Sequence, residues 1–373
     1  MERLTDPDLA EPTAADVLLP ADRRRGRGAR SNASGRHERE SRIPLADVWD
    51  EEDEPPPLRT EVTLERARSV ISRNDSPDIP FDRSINAYRG CEHGCIYCYA
   101  RPSHANMNLS PGLDFETRLF AKPDAADVLR KELASPRYVC RPIAMGTNTD
   151  PYQPIERRFR ITRASLALLL SCNHPVTIVT KSASILDDLD LLGALAERRL
   201  VRVALSITTL DRHLARRMEP RASTPARRLH ALETLAAKGI PTGVMAAPLI
   251  PALNDHELEA ILAAARDAGA RDADYIVLRL PREIETLFAE WLAEEKPERA
   301  QRIMRHVREM RGGRAYDPRF GARMRGEGPY AELIARRFRL SVRRPGLDRD
   351  VPALDCSRFI PPAADGAQLS LFG

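Results

Sequence analysis

From Ser84 to Leu280 six short apolar runs alternate with stretches of helical periodicity, and this alternation limits the folds open to the chain. The runs are Ile85–Tyr88, Ile143–Gly146, Val176–Thr180, Val201–Ile207, Pro241–Ala247 and Tyr275–Leu280. Between them helical patterns lie near 124–133, 162–170, 185–197, 225–238 and 255–268. Runs rich in β-branched residues and joined through helices belong to parallel strands covered on both faces. An open doubly wound sheet and a barrel both satisfy the pattern. No Gly-x-Gly-x-x-Gly turn follows the first strand, which weakens the dinucleotide-binding version of the open sheet. The expectation is an α/β core over residues 81–283 built as a partial barrel.

The flanks read differently. Residues 1–80 show neither period and contain Arg23-Arg24-Arg25-Gly26-Arg27-Gly28-Ala29-Arg30 and Glu51-Glu52-Asp53-Glu54-Pro55-Pro56-Pro57. Such an Arg/Gly-rich, then acidic and Pro-rich, stretch buries too little apolar surface to offset chain entropy, so it is expected to be disordered. Its arginines suit phosphate backbones, or a solvated tail. Residues 284–342 form a helical extension, with patterns over 284–293, 297–310 and 330–338, and 343–373 a flexible tail. No run of 18 apolar residues is present, and Glu2, Asp6, Asp8 and Glu11 precede any apolar segment. The expectation is therefore no membrane span, no secretory signal and a reducing cytoplasm for the cysteines. A net charge of +4 gives no field over the whole protein to draw in nucleic acid, although local patches of arginine can.

Three of the six cysteines fall in one short loop, Cys91-Glu92-His93-Gly94-Cys95-Ile96-Tyr97-Cys98. Thiolates this close need a metal to balance them. A four-iron cluster takes four thiolates, and three leave one iron open to a cofactor. A zinc site completed by His93 or His104 is the competing reading. It lacks the usual second ligand pair, and His93 would have to wrap the ion from inside the loop.

Cys91, Cys95 and Cys98, with Tyr97 before the third, resemble the signature Cys-x3-Cys-x-aromatic-Cys of the radical S-adenosylmethionine (radical SAM) superfamily, and the strand–helix units resemble its partial (β/α)6 TIM-type barrel. The resemblance covers about residues 85–281. It implies a [4Fe–4S] cluster on Cys91, Cys95 and Cys98, S-adenosylmethionine chelated at the open iron, and reductive cleavage to a 5′-deoxyadenosyl radical. It also implies an electron donor such as flavodoxin or ferredoxin. Within the superfamily the chain is similar to spore photoproduct lyase and its uncharacterised bacterial relatives, through Tyr97-Cys98-Tyr99, Thr149-Asp150, Thr180-Lys181, Ser206-Ile207, Glu219-Pro220 and Gly243–Pro248. By that likeness Lys181 bonds the cofactor carboxylate and Ser206 its ribose, Thr149 lies along it, and Tyr97 and Ala247 frame the adenine. The lyase's hydrogen-donating cysteine has no counterpart near Gly146-Thr147, which puts thymine-dimer repair in doubt. Cys140 precedes that strand. No catalytic residue is assigned.

The chain ends Gln368-Leu369-Ser370-Leu371-Phe372-Gly373. The pentapeptide resembles the Gln-Leu-Ser/Asp-Leu-Phe motif by which bacterial polymerases and repair proteins dock on the DNA sliding clamp. Two leucines and a phenylalanine on a flexible tail are good anchors. Together the two ends point to nucleic acid as a substrate class, with a DNA-repair-like lyase chemistry. The alternatives are a zinc-stabilised nucleic-acid-binding module without catalysis and a radical enzyme acting on a small molecule or peptide.

Overall fold

The computed structural model describes residues 18–22, 24–38, 58–343, 346–347 and 353–363. Ten strands are described: β1 (Glu61–Leu64), β2 (Ile71–Arg73), β3 (Arg83–Ile85), β4 (Tyr88–Arg89), β5 (Arg118–Ala121), β6 (Ile143–Met145), β7 (Val176–Thr180), β8 (Val201–Ser206), β9 (Thr242–Leu249) and β10 (Asp272–Val277). Six of them, β3, β6, β7, β8, β9 and β10, lie side by side in chain order and all parallel. Helices cross between them, as parallel pairing requires. β2 adds antiparallel to the outer edge of β3. Val176, Ile178, Val201, Val203, Leu205, Val244 and Leu249 are buried between the sheet and helix residues such as Leu166, Leu192, Leu232 and Ile261.

Among the described residues the sheet curls without closing, since its edge strands β10 and β2 are not paired with each other. Four strand spacings, about 19 Å if flat, separate β6 from β10. Yet Tyr99 donates its hydroxyl to the Thr147 carbonyl just past β6, while the Arg279 guanidinium just past β10 lies 4.9 Å from its ring. One side chain can bridge those two strand ends only across a strongly curved sheet. Residues 317–325 span the open seam. Arg325 bonds Asp274 and the Tyr275 carbonyl on β10, and Arg323 and the Gly321 amide hold Asp78 in the turn between β2 and β3. The helices Ile284–Glu295 and Pro297–Glu309 precede this stretch and Pro329–Arg343 follows it. Among the described residues no helix is long and apolar enough to cross a membrane.

Three expectations are corrected. The first run was expected as one strand over 85–88, but the chain turns after Ile85, and Tyr88-Arg89 pairs with β5 in a second sheet ordered β1-β5-β4. The stretch 1–80 was expected to be disordered. Its described parts are instead packed: Ala29 and Ser31 are fully buried, Arg27 and Arg30 nearly so, and β1 pairs with β5. Arginines and backbone amides bonded to buried carboxylates hold this segment, which is why it shows no apolar period. The tail after 343 was expected to be loose. Its described part, 353–363, crosses the N-terminal ends of the strands. The Asp355 amide bonds the Arg199 carbonyl at 3.0 Å and the Ile360 amide the Cys172 carbonyl at 2.9 Å. The acidic Glu51–Pro57 run and the terminal motif 368–372 lie outside the described residues.

Candidate active site at the cysteine loop

The cysteine loop leaves β4 and closes two successive turns. The Gly94 amide bonds the Cys91 carbonyl at 3.3 Å, and the Cys98 amide bonds that of Cys95 at 3.2 Å. Gly94 holds φ at 66°, where a side chain would be strained, and a Cβ there would meet Glu116 Oε2 at 2.6 Å. Beneath the loop Arg101, with no solvent exposure, donates to the carbonyls of Cys95, Gly94, Pro111 and Gly112 and pairs with Glu116 at 2.5 Å. Glu116 also accepts the amides of Gly28 and Ala29, each at 2.8 Å. A Cβ on Gly28 would sit 1.8 Å from the Gly94 carbonyl oxygen, so the N-terminal segment lies directly against the loop.

That contact settles where the arginine run goes. Arg27 donates to Glu116 O, Leu58 O and Thr60 Oγ1, Arg30 pairs with Glu294 and Glu295, and Arg24 with Glu294. These three arginines clasp the chain's own carboxylates and carbonyls, while Arg25 is exposed.

Cys91 and Cys95 are buried and Cys98 half-buried, and none is in a disulfide. Burial pushes all three thiols up. Asp150, Cys95 and Cys98 add to this at Cys91, and Glu219 at Cys95. The thiols are therefore near enough to act on one another, in surroundings that disfavour thiolates without a bound cation. Lys181 works the other way at Cys95 and Cys98, and Arg101 at Cys98. Among the described residues no three His, Cys, Asp or Glu groups converge as ligands of one ion. Three thiols on one loop, with Arg101 and Lys181 favouring the thiolate at Cys98, suit a cluster that takes one thiolate per iron. The histidines considered for zinc are engaged elsewhere: His93 Nδ1 pairs with Asp150 at 3.3 Å, and His104 Nε2 lies 2.9 Å from the Arg118 carbonyl.

Beside the loop, the C-terminal ends of β7, β8 and β9 bring four of the five expected cofactor residues together. Lys181 Nζ donates to Ser206 Oγ at 2.8 Å, and Ser206 Oγ donates to the Ala247 carbonyl at 3.1 Å. Lys181 Nζ also lies 5.8 Å from the Tyr97 ring centroid. Thr149 stands apart after β6, bonded to the Tyr88 carbonyl at 3.2 Å. Its neighbour Asp150 ties it in by accepting the Lys181 amide at 2.8 Å and Thr180 Oγ1 at 2.6 Å. Burial alone would raise the Asp150 pKa, yet His93, Thr180 and the Lys181 amide hold it at about 2.

Sequence reasoning singled out Glu219 only as part of a likeness and missed its role. Glu219 accepts from the Tyr97 hydroxyl, from Thr208 Oγ1 at 2.6 Å and from Arg228, all buried. Against the effect of burial, Arg228 and Lys181 hold it ionised with a pKa of about 2. Arg228 also donates to the Ser206 carbonyl at 2.9 Å, so one buried ion pair braces the loop's Tyr97 and the end of β8 together. Arg228 lies in a helix of ordinary composition, and nothing in its local sequence marks it. Cys140 precedes β6, at the far end of the sheet from the loop.

Comparison with known proteins matches residues 85–265 to the radical SAM superfamily. An uncharacterised protein of Mycobacterium tuberculosis H37Rv is 37% identical over 226 residues, 60% of this chain and 66% of that protein. The match thus falls just short of two thirds of the relative's length. An uncharacterised protein of Methanocaldococcus jannaschii is 28% identical over 53% of this chain and 71% of its own length. Among solved structures, spore photoproduct lyase complexed with dinucleoside spore photoproduct superposes with a TM-score of 0.57 at 15% identity, covering 76% of this chain and 80% of that one. A mutant lyase with bound AdoMet and dinucleoside spore photoproduct gives 0.53 over the same shares. These likenesses concern the fold.

Proposed function

Because the domain at residues 85–265 belongs to the radical SAM superfamily, we propose that Cys91, Cys95 and Cys98 hold a [4Fe–4S] cluster and that the chain cleaves S-adenosylmethionine there. When bound, the cluster supplies the electron that breaks the sulfonium, giving methionine and a 5′-deoxyadenosyl radical that takes a hydrogen atom from the substrate. The observation that carries this reading is the Lys181–Ser206–Ala247 chain of hydrogen bonds at the strand ends beside the three-thiol loop. Lys181 offers its ammonium to the cofactor carboxylate. Ser206 offers its hydroxyl to the ribose. Tyr97 and Ala247 present backbone to the adenine, and Thr149 lies along the ligand. Asp150 and Glu219 keep their charge and fix Lys181 and Tyr97 in place.

The electron comes from a flavodoxin or ferredoxin in a reducing cytoplasm. DNA or another nucleic acid is the substrate we favour, supported by the fold shared with a lyase solved with a dinucleoside. The tail 368–372 docks on the sliding clamp. With Cys140 at the opposite end of the sheet, the hydrogen returned to product comes from elsewhere than a cysteine on the second core strand.

Anaerobic purification tests the reading directly. A brown protein with about four irons and four sulfides per chain, releasing 5′-deoxyadenosine from S-adenosylmethionine after reduction, supports it. One zinc, no colour and no 5′-deoxyadenosine overturn it in favour of the binding module. Deuterium passing into 5′-deoxyadenosine from labelled DNA, rather than from RNA or protein, assigns the substrate. Removing residues 368–373 should abolish binding to purified clamp, and unchanged binding would refute the docking role.

A further inference from the structure

The rim of the cysteine loop carries a positive charge that the described protein does not neutralise. Arg279 stands just past β10, at the strand ends that face the loop. Its guanidinium lies 4.9 Å from the Tyr99 ring centroid and 6.0 Å from that of Tyr316. Tyr99 directly follows Cys98 and is 44% exposed, so this guanidinium sits at the opening of the loop. Every other arginine of the neighbouring segment that faces the seam has a carboxylate. Arg319 pairs with Asp317 and Glu327, Arg323 with Asp78, and Arg325 with Asp274. Arg279 makes no ion pair among the described residues. Its Nη1 meets only Met324 Sδ at 3.5 Å, and its Nε is buried with no acceptor.

A neighbouring charge makes this arrangement costlier. Arg311, almost wholly buried, donates to the Leu278 carbonyl at 2.9 Å. Burial and then Arg279 pull its pKa down to about 10. Two like charges are thus held close; Asp317 and Glu327 offset part of this at Arg311, and both are ion-paired with Arg319. A guanidinium with an unmet donor and no counter-charge is unfavourable unless something supplies the missing oxygens. The planar fork is suited to carboxylate or phosphate, and two flanking rings keep it flat and fixed.

We propose that Arg279, held between Tyr99 and Tyr316, is the group that binds an oxyanion, phosphate or carboxylate, on the substrate brought to the cysteine loop. The proposal rests on the reading of that loop as the reaction centre. The exposed Phe320 ring with Arg323 stacked 4.8 Å from it extends the rim outward, so an aromatic or planar group next to the anion also finds a partner.

The test uses the full chain, reconstituted anaerobically, with S-adenosylmethionine present. Phenyl phosphate, phenylacetate and phenylacetamide are titrated by calorimetry. At least one of the two anions should bind about tenfold or more tighter than the neutral amide, and which one does so distinguishes phosphate from carboxylate. Arg279→Gln should remove the gap, and Arg279→Lys, which keeps the charge but not the fork, should restore part of it. Equal binding of all three probes, no binding of any, or a gap that survives Arg279→Gln overturns the proposal. So does loss of iron from Arg279→Gln with the gap intact, because the charge would then serve the cluster. A wild-type protein that shows the gap but releases no 5′-deoxyadenosine fails the radical reading and leaves the anion site standing.

Discussion

The two ends of the parallel sheet each collect three cysteines, and they use them in opposite ways. At the mouth Cys91, Cys95 and Cys98 come from one loop, surrounded by Asp150, Lys181, Ser206, Glu219 and Arg228, each with its partner. At the base Cys140, Cys172 and Cys356 arrive from three distant parts of the chain. There the Cys140 thiol is pushed up to about 12 by burial and then by Cys356, with a smaller effect of Cys172. The base is sealed by rings. Phe359 lies 5.6 Å from Tyr138 and 5.3 Å from His174, whose Nε2 is 2.7 Å from the Tyr138 hydroxyl. A loop with a preset fold and charged neighbours is built to hold a ligand. Thiols brought together from separate segments, under an aromatic lid, lack such a loop and serve as small apolar groups.

The strongest way to break this comparison is to remove thiols at each end. Cys91→Ser, Cys95→Ser and Cys98→Ser should each lose nearly all bound iron after reconstitution. Cys140→Ser, Cys172→Ala and Cys356→Ser should keep it. Iron and sulfide assays decide the matter. A base variant that loses iron as completely as a loop variant would show that the two ends are not distinct.

Next in size is the buried ion pair under the mouth. Glu219 and Arg228 are essentially without solvent exposure. Glu219→Gln leaves the guanidinium buried without its counter-charge, which should cost about 3–5 kcal/mol of stability in chemical denaturation. It should also loosen Tyr97 and so weaken S-adenosylmethionine binding. Full stability in this variant would mean the pair is solvated in solution and does not brace the loop.

These two cases show what the sequence makes legible. The loop's three thiols and its aromatic residue are neighbours in the chain, so spacing alone exposes them. The six core strands are short apolar runs, and their order could be read because each run is separated by a helical period. Glu219 and Arg228 are not readable in this way, since they meet from different elements and each looks like an ordinary surface residue. The clasp of Arg24, Arg27 and Arg30 is hidden for the same reason. An arginine-rich run held through Glu294, Glu295 and the Glu116 carbonyl has the composition of a solvated tail, and only the location of those glutamates separates the two. The curl of the sheet is likewise invisible in sequence, because it is fixed by contacts such as that of Tyr99 between the ends of β6 and β10.

Acid sharpens the contrast between the ends. Asp150 and Glu219 at the mouth have folded pKa values of about 2. Their contribution is complete above the ordinary carboxylate range and is lost only as pH falls from there through about 2. His174 at the base is held neutral by burial, with its pKa lowered to about 4. The unfolded chain takes up that proton first, so stability drops as pH falls from about 6.5 toward 4, by roughly 2 kcal/mol at pH 5. His104, lowered to about 4 by burial beside the loop, contributes in the same window. His174→Phe should therefore flatten only part of the slope between pH 6.5 and 4.5, and leave the loss at lower pH unchanged. A slope that is unaffected by this variant would remove the base from the account.

The smallest effect separates the strap 353–363 from everything above it. The strap is fastened by the two backbone hydrogen bonds to Arg199 and Cys172, by the Arg199–Asp355 pair at 3.3 Å and by the Phe359 ring. Phe359 is only half-buried, so Phe359→Ala removes two ring contacts and part of an apolar surface rather than opening a core cavity. Pairs of this kind contribute about 0.5–1.5 kcal/mol each, and the expected loss is about 1–2 kcal/mol. Amide exchange should rise at Ile360, whose N–H reaches the Cys172 carbonyl, and iron content should not change. If the strap stays protected, its backbone bonds suffice and the aromatic lid is incidental. If iron falls instead, the base is coupled through β6 and β7 to the loop, and the two ends of the sheet act as one site.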